Sequence, residues 1–431
     1  MSTIVAAAEA ETASIKPRRA RRIAPAAALV LALVGLLPSL TIPLTMPVNL
    51  LVLVRVGASE LSLWFMGLDL LAALLSLYAL RRAGPRAAGV GRVALACSLL
   101  DLVLAAIPIV QLPGTTSRAE SAMRAGLGSD YASRIPPDMA ANMRNRPFSP
   151  ADFFTGIDTG SARVTRDIPY RTVDGQTLLL DRYDPPGDGP HPGLLVIHGG
   201  SWRNGNKGEY TQASYYFAAH GYVVYDIQYR LTSQGFRFPA QLEDVECALG
   251  YMRAHAVADR LDPERVVTFG RSAGAHLALL AAYRAGGDPT PASRDRPATV
   301  KGAVAYYAPT DLRNDYINPP NPDLINVHEV LGNLLGGSPD QVPDQYASAT
   351  PQHWLDRPVP PTLLIHGESD QIVLPRNAHL LEGPLQAAHA KVVTITIPWA
   401  GHGFDAIFQG PSSQMSLYYW ERFMAYVLAN P

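Results

Sequence analysis

The sequence predicts an α/β protein: a mostly parallel, doubly wound sheet with helices on both faces, preceded by an N-terminal bundle of about three transmembrane helices. Three observations carry this expectation. From Ala162 onward, short apolar runs alternate with helix-length amphipathic segments. Glycine-rich loops follow several of those runs directly. The apolar excess behind the slightly positive mean hydropathy is gathered before about Leu112, in stretches long enough to cross a bilayer.

The expected strands are Leu194–Ile197, Tyr222–Tyr225, Val266–Phe269, Gly302–Tyr306, Thr362–Ile365 and Val392–Ile397. Continuous apolar strands separated by helices indicate a parallel sheet buried on both faces. Between them Leu242, Val245, Leu249 and Met252 recur at helical spacing, as does Leu277–Leu280. Val164–Arg171 and Leu178–Tyr183 read as a leading antiparallel hairpin, with Asp174-Gly175 at its turn.

Ahead of this region the chain through Arg22 is polar and basic. Ile23 to Val54 carries no charge but is interrupted by Pro25, Pro38, Pro43 and Pro47, which suggests one span with a kinked or re-entrant flank. Two further apolar runs, Leu61–Leu80 and Val93–Leu112, hold one carboxylate each, Asp69 and Asp101. These acids are expected to face the bundle interior and bond to one another; an ion or proton site is the alternative reading. Arg81, Arg82, Arg86 and Arg92 follow the second run, whereas only Arg55 precedes it. The positive-inside rule places that arginine loop in the cytoplasm and everything after Leu112 outside. The expected organisation is therefore a tail over 1–22, a membrane region over 23–112, a linker or partial cap over 113–160 and an α/β domain over 161–431. An insertion over 311–360, rich in Pro, Asn and Asp, carries an expected helix at Val327–Leu335.

Composition narrows the function classes. With 36 Lys and Arg against 37 Asp and Glu, the formal net charge is -1, which gives no electrostatic case for nucleic acid. Cys97 and Cys247 form neither a disulfide framework nor a zinc site.

The chemistry-bearing residues sit at the ends of the expected strands. Val266–Phe269 leads into Gly270-Arg271-Ser272-Ala273-Gly274 and then a helix, the setting that a Gly-x-Ser-x-Gly turn requires. Ser272 is the expected nucleophile, and the Ala273 N–H would face a developing oxyanion. Leu194–Ile197 ends in His198-Gly199-Gly200-Ser201-Trp202, so the N–H groups of Gly199 and Gly200 are the other expected oxyanion donors. His198 is read as bracing this loop, and Trp202 as lining the substrate pocket or simply packing. Acid and base should follow the serine in that order. Asp370, in the loop after Thr362–Ile365, is the expected acid, with Glu368 as runner-up. His402, in Gly401-His402-Gly403 after the last strand, is the expected base. His366, His379 and His389 are read as surface or loop residues.

These motifs, with Tyr229-Arg230, Phe238-Pro239, Asp244 and Pro309-Thr310-Asp311-Leu312, resemble the esterase/lipase branch of the α/β-hydrolases. That branch includes hormone-sensitive-lipase-like carboxylesterases and the bacterial feruloyl and acetyl-xylan esterase-like group. The resemblance runs from about Phe148 to the C-terminus. It implies a carboxylic-ester hydrolase without metal or organic cofactor, acting on a small-molecule or lipid ester. His-Gly-Gly-x-Trp with Ser-Ala-Gly-Ala-His-Leu is also similar to relatives of kynurenine formamidase, which leaves an amide-cleaving alternative. A third alternative is an inert ligand-binding domain on a membrane sensor.

Overall fold

Eight strands form one sheet: β1 (Arg163–Val173), β2 (Gln176–Asp184), β3 (His191–Ile197), β4 (Val223–Ile227), β5 (Leu261–Arg271), β6 (Gly302–Tyr306), β7 (Thr362–Gly367) and β8 (Val392–Ile397). Their spatial order is β1-β2-β4-β3-β5-β6-β7-β8. The β1–β2 and β2–β4 pairs are antiparallel, and every other pair is parallel. The computed structural model describes residues 23–82, 84–284 and 300–430; the basic segment through Arg22 lies outside the described residues. The chain divides into two compact units, Met1–Pro113 and Gly114–Pro431.

The sheet unit follows from the residue pattern. At the β1–β2 turn Asp174 and Gly175 have φ of 50° and 75°, and Val173 pairs with Gln176. This is the two-residue turn whose twist matches the strands it joins. β3, β4, β6 and β7 are buried along nearly their whole length because helices cover both faces. Helix Ala273–Arg284 is buried through Tyr283, so it is apolar on all sides rather than striped. Strand order reverses at β3, which lies between β4 and β5. The loops leaving β3 and β5 therefore diverge over one crevice, where open α/β sheets characteristically place ligands.

The segment before β1, expected as a linker with short helices around 119–126 and 137–145, has helix at both places, and the first is much longer than expected. Helix Ile107–Leu127 continues through Pro113, and the boundary between the two units falls within it. Thr115, Ala119, Met123 and Leu127 are buried at helical spacing, a period masked in the sequence by small and polar residues. Thr116 and Leu127 offer their carbonyls to the hydroxyls of Tyr419 and Tyr426, 2.7 and 2.9 Å away. Further on, Arg144 donates to Asp152 and Gln414, while its backbone N–H donates to Glu421. The segment thus packs on the C-terminal helix Pro411–Ala429.

The first unit holds helices Ile23–Ser39, Asn49–Glu60, Ser62–Arg82 and Pro85–Ala105. Ser62–Arg82 and the helical stretch Pro85–Leu127 are long and apolar enough to cross a membrane. Their burial is inverted relative to a water-soluble bundle. Leu70, Leu71, Leu74, Val93, Leu99 and Val103 are exposed, whereas Ala72, Ser76, Ala79, Ala94, Ser98 and Ala105 are buried. Asp69 and Asp101 are fully buried and converge at Gly35, where a side chain would overlap the Asp69 carboxylate. Gly35→Leu is therefore expected to destabilise this unit by about 3 kcal/mol or more through overpacking and displaced polar groups. A melting curve of the detergent-solubilised full chain that matched the wild type would contradict this.

Candidate active site

The turn between β5 and helix Ala273–Arg284 is tight for reasons visible in its neighbours. Ser272 has φ of 53°, a left-handed conformation that an L-residue adopts only under constraint. A Cβ on Gly270 would overlap the Gly274 carbonyl, and one on Gly274 would overlap the carbonyls of Ile197 and His198. The two glycines let strand, turn and β3 loop approach closely enough to raise Ser272 at the crevice. The Ser272 N–H donates to the Tyr306 carbonyl at 2.9 Å, tying the turn to β6. Ala273 opens the helix, so its N–H has no acceptor within the helix and lies at the positive end of the helix dipole.

The loop after β3 lies against this turn. A Cβ on Gly199 would stand 3.0 Å from the Arg271 carbonyl and 3.4 Å from Ser272 Cβ. Gly200 has φ of 107°, which favours glycine, and a side chain there would overlap the Asn204 carbonyl. His198 is buried, its Nδ1 is 2.7 Å from the Gly199 carbonyl, and its ring stacks on Tyr229 with centroids 4.2 Å apart. Burial pushes His198 down to about 4, which leaves a neutral imidazole bracing the loop at neutral pH. Trp202, with φ of 55°, meets the His276 ring edge-on at 5.2 Å and lines the cleft beside Ser272.

Loops from the far side of the sheet bring the other groups. His402 Nε2 lies 3.0 Å from Ser272 Oγ, and His402 Nδ1 lies 2.7 Å from Asp370 Oδ2. Asp370 is buried and accepts backbone N–H bonds from Ile372 and Val373 at 2.8 and 3.0 Å. Burial alone would raise its carboxyl; His402 and His366 outweigh that and hold it far below the usual carboxylate range. Glu368 is turned away, accepting instead from Thr396 at 2.7 Å.

His366 requires a correction. It is a buried residue, not a surface one: Nε2 lies 2.9 Å from the Val373 carbonyl and 3.5 Å from Asp370 Oδ2. Its position four residues before Asp370, at the end of β7, was the available signal. His379 and His389 are exposed as expected.

A cleft opens beside Ser272. Its walls are Leu312, Ile325, Val327, Val330 and Leu331 from the insertion, with Ile372–Leu374 opposite. The insertion helix spans Val327–Leu335, as its apolar spacing predicts. Asp315 is a charged residue in this lining, bonded to Asn377 Nδ2 at 3.0 Å and facing Arg376 at 3.6 Å. Burial pushes the Asp315 carboxyl up to about 6 despite those partners. A carboxyl raised on folding favours the folded state fully below its unfolded value, near 4, and loses that contribution as pH rises through about 6. Asp315→Asn is accordingly expected to melt higher than the wild type at pH 8 and alike at pH 4. Equal melting temperatures at pH 8 would refute this.

The strand order and the turn around Ser272 are those of the α/β-hydrolase fold, and comparison with known proteins is in line with this. Residues 180–385 match the family model BD-FAE. Esterase LipQ of Mycobacterium tuberculosis is 30% identical over 256 residues, covering 57% of this chain and 58% of that protein. The chain thus spans somewhat over half the length of that relative. The probable carboxylic ester hydrolase LipM of the same organism is 27% identical, covering 88% of this chain and 89% of that protein. That coverage reaches beyond the sheet unit into the apolar helices. A structure of Thermogutta terrifontis esterase 2, phosphonylated by sarin, superposes with a TM-score of 0.52 at 21% identity, over 61% of this chain and 94% of that one, and so bears on the fold. The chain is thus similar, over its sheet unit, to esterases of the α/β-hydrolase fold.

Proposed function

We propose that this chain is a membrane-anchored carboxylic-ester hydrolase working through an acyl-enzyme on Ser272. The observation that carries the reading is the continuous chain of contacts from Asp370 through His402 to Ser272 Oγ. His402 takes the serine proton as Oγ attacks the ester carbonyl, then delivers it to the departing alcohol. The resulting acyl-enzyme is opened by water along the same route in reverse. Asp370 holds the imidazole with Nε2 toward Ser272 and stabilises its cationic form. The N–H groups of Gly199, Gly200 and Ala273 receive the oxyanion, where each donor contributes about 3 kcal/mol to the transition state. The apolar cleft suits a hydrocarbon acyl or alcohol group.

Anchoring rests on the inverted burial of the N-terminal helices, with large apolar side chains outside and small or polar ones inside, as lipid-facing helices require. The arginine loop over 81–92 then lies in the cytoplasm and the catalytic unit outside.

The deciding experiment treats membranes holding the wild type or Ser272→Ala with a fluorophosphonate probe, alongside short p-nitrophenyl esters and formanilide. Labelling and ester turnover by the wild type, both lost in the variant, support the reading. Absent labelling of a folded wild type would sink it, and faster formanilide than ester turnover would replace it with the amidase. Protease digestion of intact spheroplasts that spared the catalytic unit would reverse the proposed orientation.

A further inference from the structure

Behind the nucleophile lies a buried charge pair that the acyl-transfer steps leave unused. Arg271, directly before Ser272, places its Nε 2.8 Å from Asp405 Oδ2; Asp405 lies three residues after His402 and is buried. Tyr307 joins the two: its hydroxyl accepts from Arg271 Nε at 3.1 Å and donates to Asp405. The Tyr307 ring also stands against His402, with centroids 4.5 Å apart. Tyr307 has φ of 41°, a constrained backbone for an aromatic residue, and its N–H is fixed to the Ile365 carbonyl at 2.8 Å. Beneath the guanidinium lies the Tyr210 ring, 4.7 Å from Arg271 Cζ.

We propose that Arg271, Asp405 and Tyr307 form a charge-balanced clamp that positions His402 against Ser272 and keeps the imidazolium from feeling an uncompensated charge. Arg271 rides on the nucleophile turn and Asp405 on the His402 loop, so their pairing fixes the distance between nucleophile and base. None of the three touches the reacting atoms; they are positioning residues. The groups facing His402 are Ser272, Asp370 with His366 behind it, and Tyr307 with the Arg271–Asp405 pair behind that and Tyr210 below. Burial works against the Arg271 guanidinium, but Asp405 outweighs it and holds it charged, so each member of the pair neutralises the other. Breaking the pair from either side leaves a charge of opposite sign near the imidazole.

The sign of each effect follows from electrostatics. Arg271→Gln leaves the Asp405 carboxylate, which favours imidazolium, so the acid limb of kcat/KM moves to higher pH. Asp405→Asn leaves the guanidinium, which opposes imidazolium, and the limb moves to lower pH. Each shift is expected at about half a unit to one unit. The double variant Arg271→Gln/Asp405→Asn returns the limb to the wild-type position, with kcat lowered about tenfold and KM within about twofold, because charge balance is restored while the clamp is lost. A purely structural pair would reduce the folded fraction and leave the limb in place.

This inference rests on the catalytic reading of Ser272, His402 and Asp370, so the wild-type chain is labelled first with the fluorophosphonate. Failure there removes that reading; labelling followed by an unmoved limb removes only the clamp. The measurement is the pH profile of p-nitrophenyl acetate hydrolysis, with rates referred to the fraction of chains that the probe titrates. Opposite shifts in the single variants, cancelling in the double, are the expected result. An unmoved limb in Asp405→Asn, or shifts in the same direction in both single variants, overturns the proposal. Where the single variants do not fold, the double variant decides alone: a lowered kcat supports the clamp, and a wild-type kcat overturns it.

Discussion

Ser272→Ala is expected to lower kcat for p-nitrophenyl esters by about 10⁴ to 10⁶-fold while leaving the melting temperature close to that of the wild type. The size follows from what is lost. On the proposed mechanism, loss of Oγ removes the covalent intermediate and leaves His402 no proton to take at 3.0 Å. The proposed oxyanion donors and the cleft would remain, so a small residual rate over water is expected. Fold is spared because Ser272 contributes its strained φ of 53° rather than a large buried side chain, and alanine fills the same turn. His402→Ala is expected to fall into the same range, and the double variant no lower than either single one, since the residues act as a unit. Steady-state kinetics with an active-site titre checks this. A Ser272→Ala chain retaining even a tenth of the wild-type rate would remove Ser272 from the chemistry.

Gly274→Val is the substitution expected to harm the catalytic unit most. Gly274 stands where the nucleophile turn presses against the end of β3, and a Cβ there would overlap the carbonyl oxygens of Ile197 and His198. Those atoms are backbone: Ile197 ends a strand paired on both sides, and the His198 carbonyl just beyond it accepts from the Tyr229 hydroxyl, so neither can swing away as a flexible side chain could. Relief would require β3 to move from β5, breaking parallel pairing at the centre of the sheet. Overpacking of this kind costs about 3 kcal/mol or more, and β-branching adds to it. Loss of the folded catalytic unit at 37 °C is the expected outcome, read by proteolysis of the expressed chain. Gly270→Val should behave alike, because its Cβ would overlap the Gly274 carbonyl. By contrast Gly250→Ala, with nothing within 4 Å of the added atom, is expected to be harmless and serves as the control. A Gly274→Val chain as resistant to protease as that control would show that the turn can relax in a way the packing does not suggest.

Some of this architecture is written locally. The six parallel strands announce themselves as apolar runs, because strands covered on both faces carry no polar alternation to obscure them. Asp174-Gly175 is legible for a different reason: a two-residue turn with both φ positive tolerates few residue types. The helix over Val327–Leu335 is legible from its own spacing, with Val327, Val330, Leu331, Leu334 and Leu335 on the buried side. Of helix Ile107–Leu127 only a short piece around 119–126 was legible, since Thr115, Ala119 and Met123 do not stand out as a hydrophobic stripe until Tyr419 and Tyr426 are seen bonded to that helix.

The sequence by itself determined that Ser272 would sit on a glycine-flanked turn between strand and helix, and that His402 and Asp370 would occupy loops after later strands. Each of those placements depends on residues within a few positions: glycine where a Cβ has no room, and an apolar run that must become a strand. Only the tertiary structure decided which acid meets the histidine, choosing Asp370 at 2.7 Å while Glu368 turns to Thr396. It also decided that buried His366 stands behind that acid, that Arg271 pairs with Asp405 across 134 positions of sequence, and that Asp69 meets Asp101 beside Gly35. The physical reason is the same in each case. Pairing between distant side chains is set by strand order and loop length, and by the demand that a buried charge find its partner. No window of sequence contains both halves of that bargain.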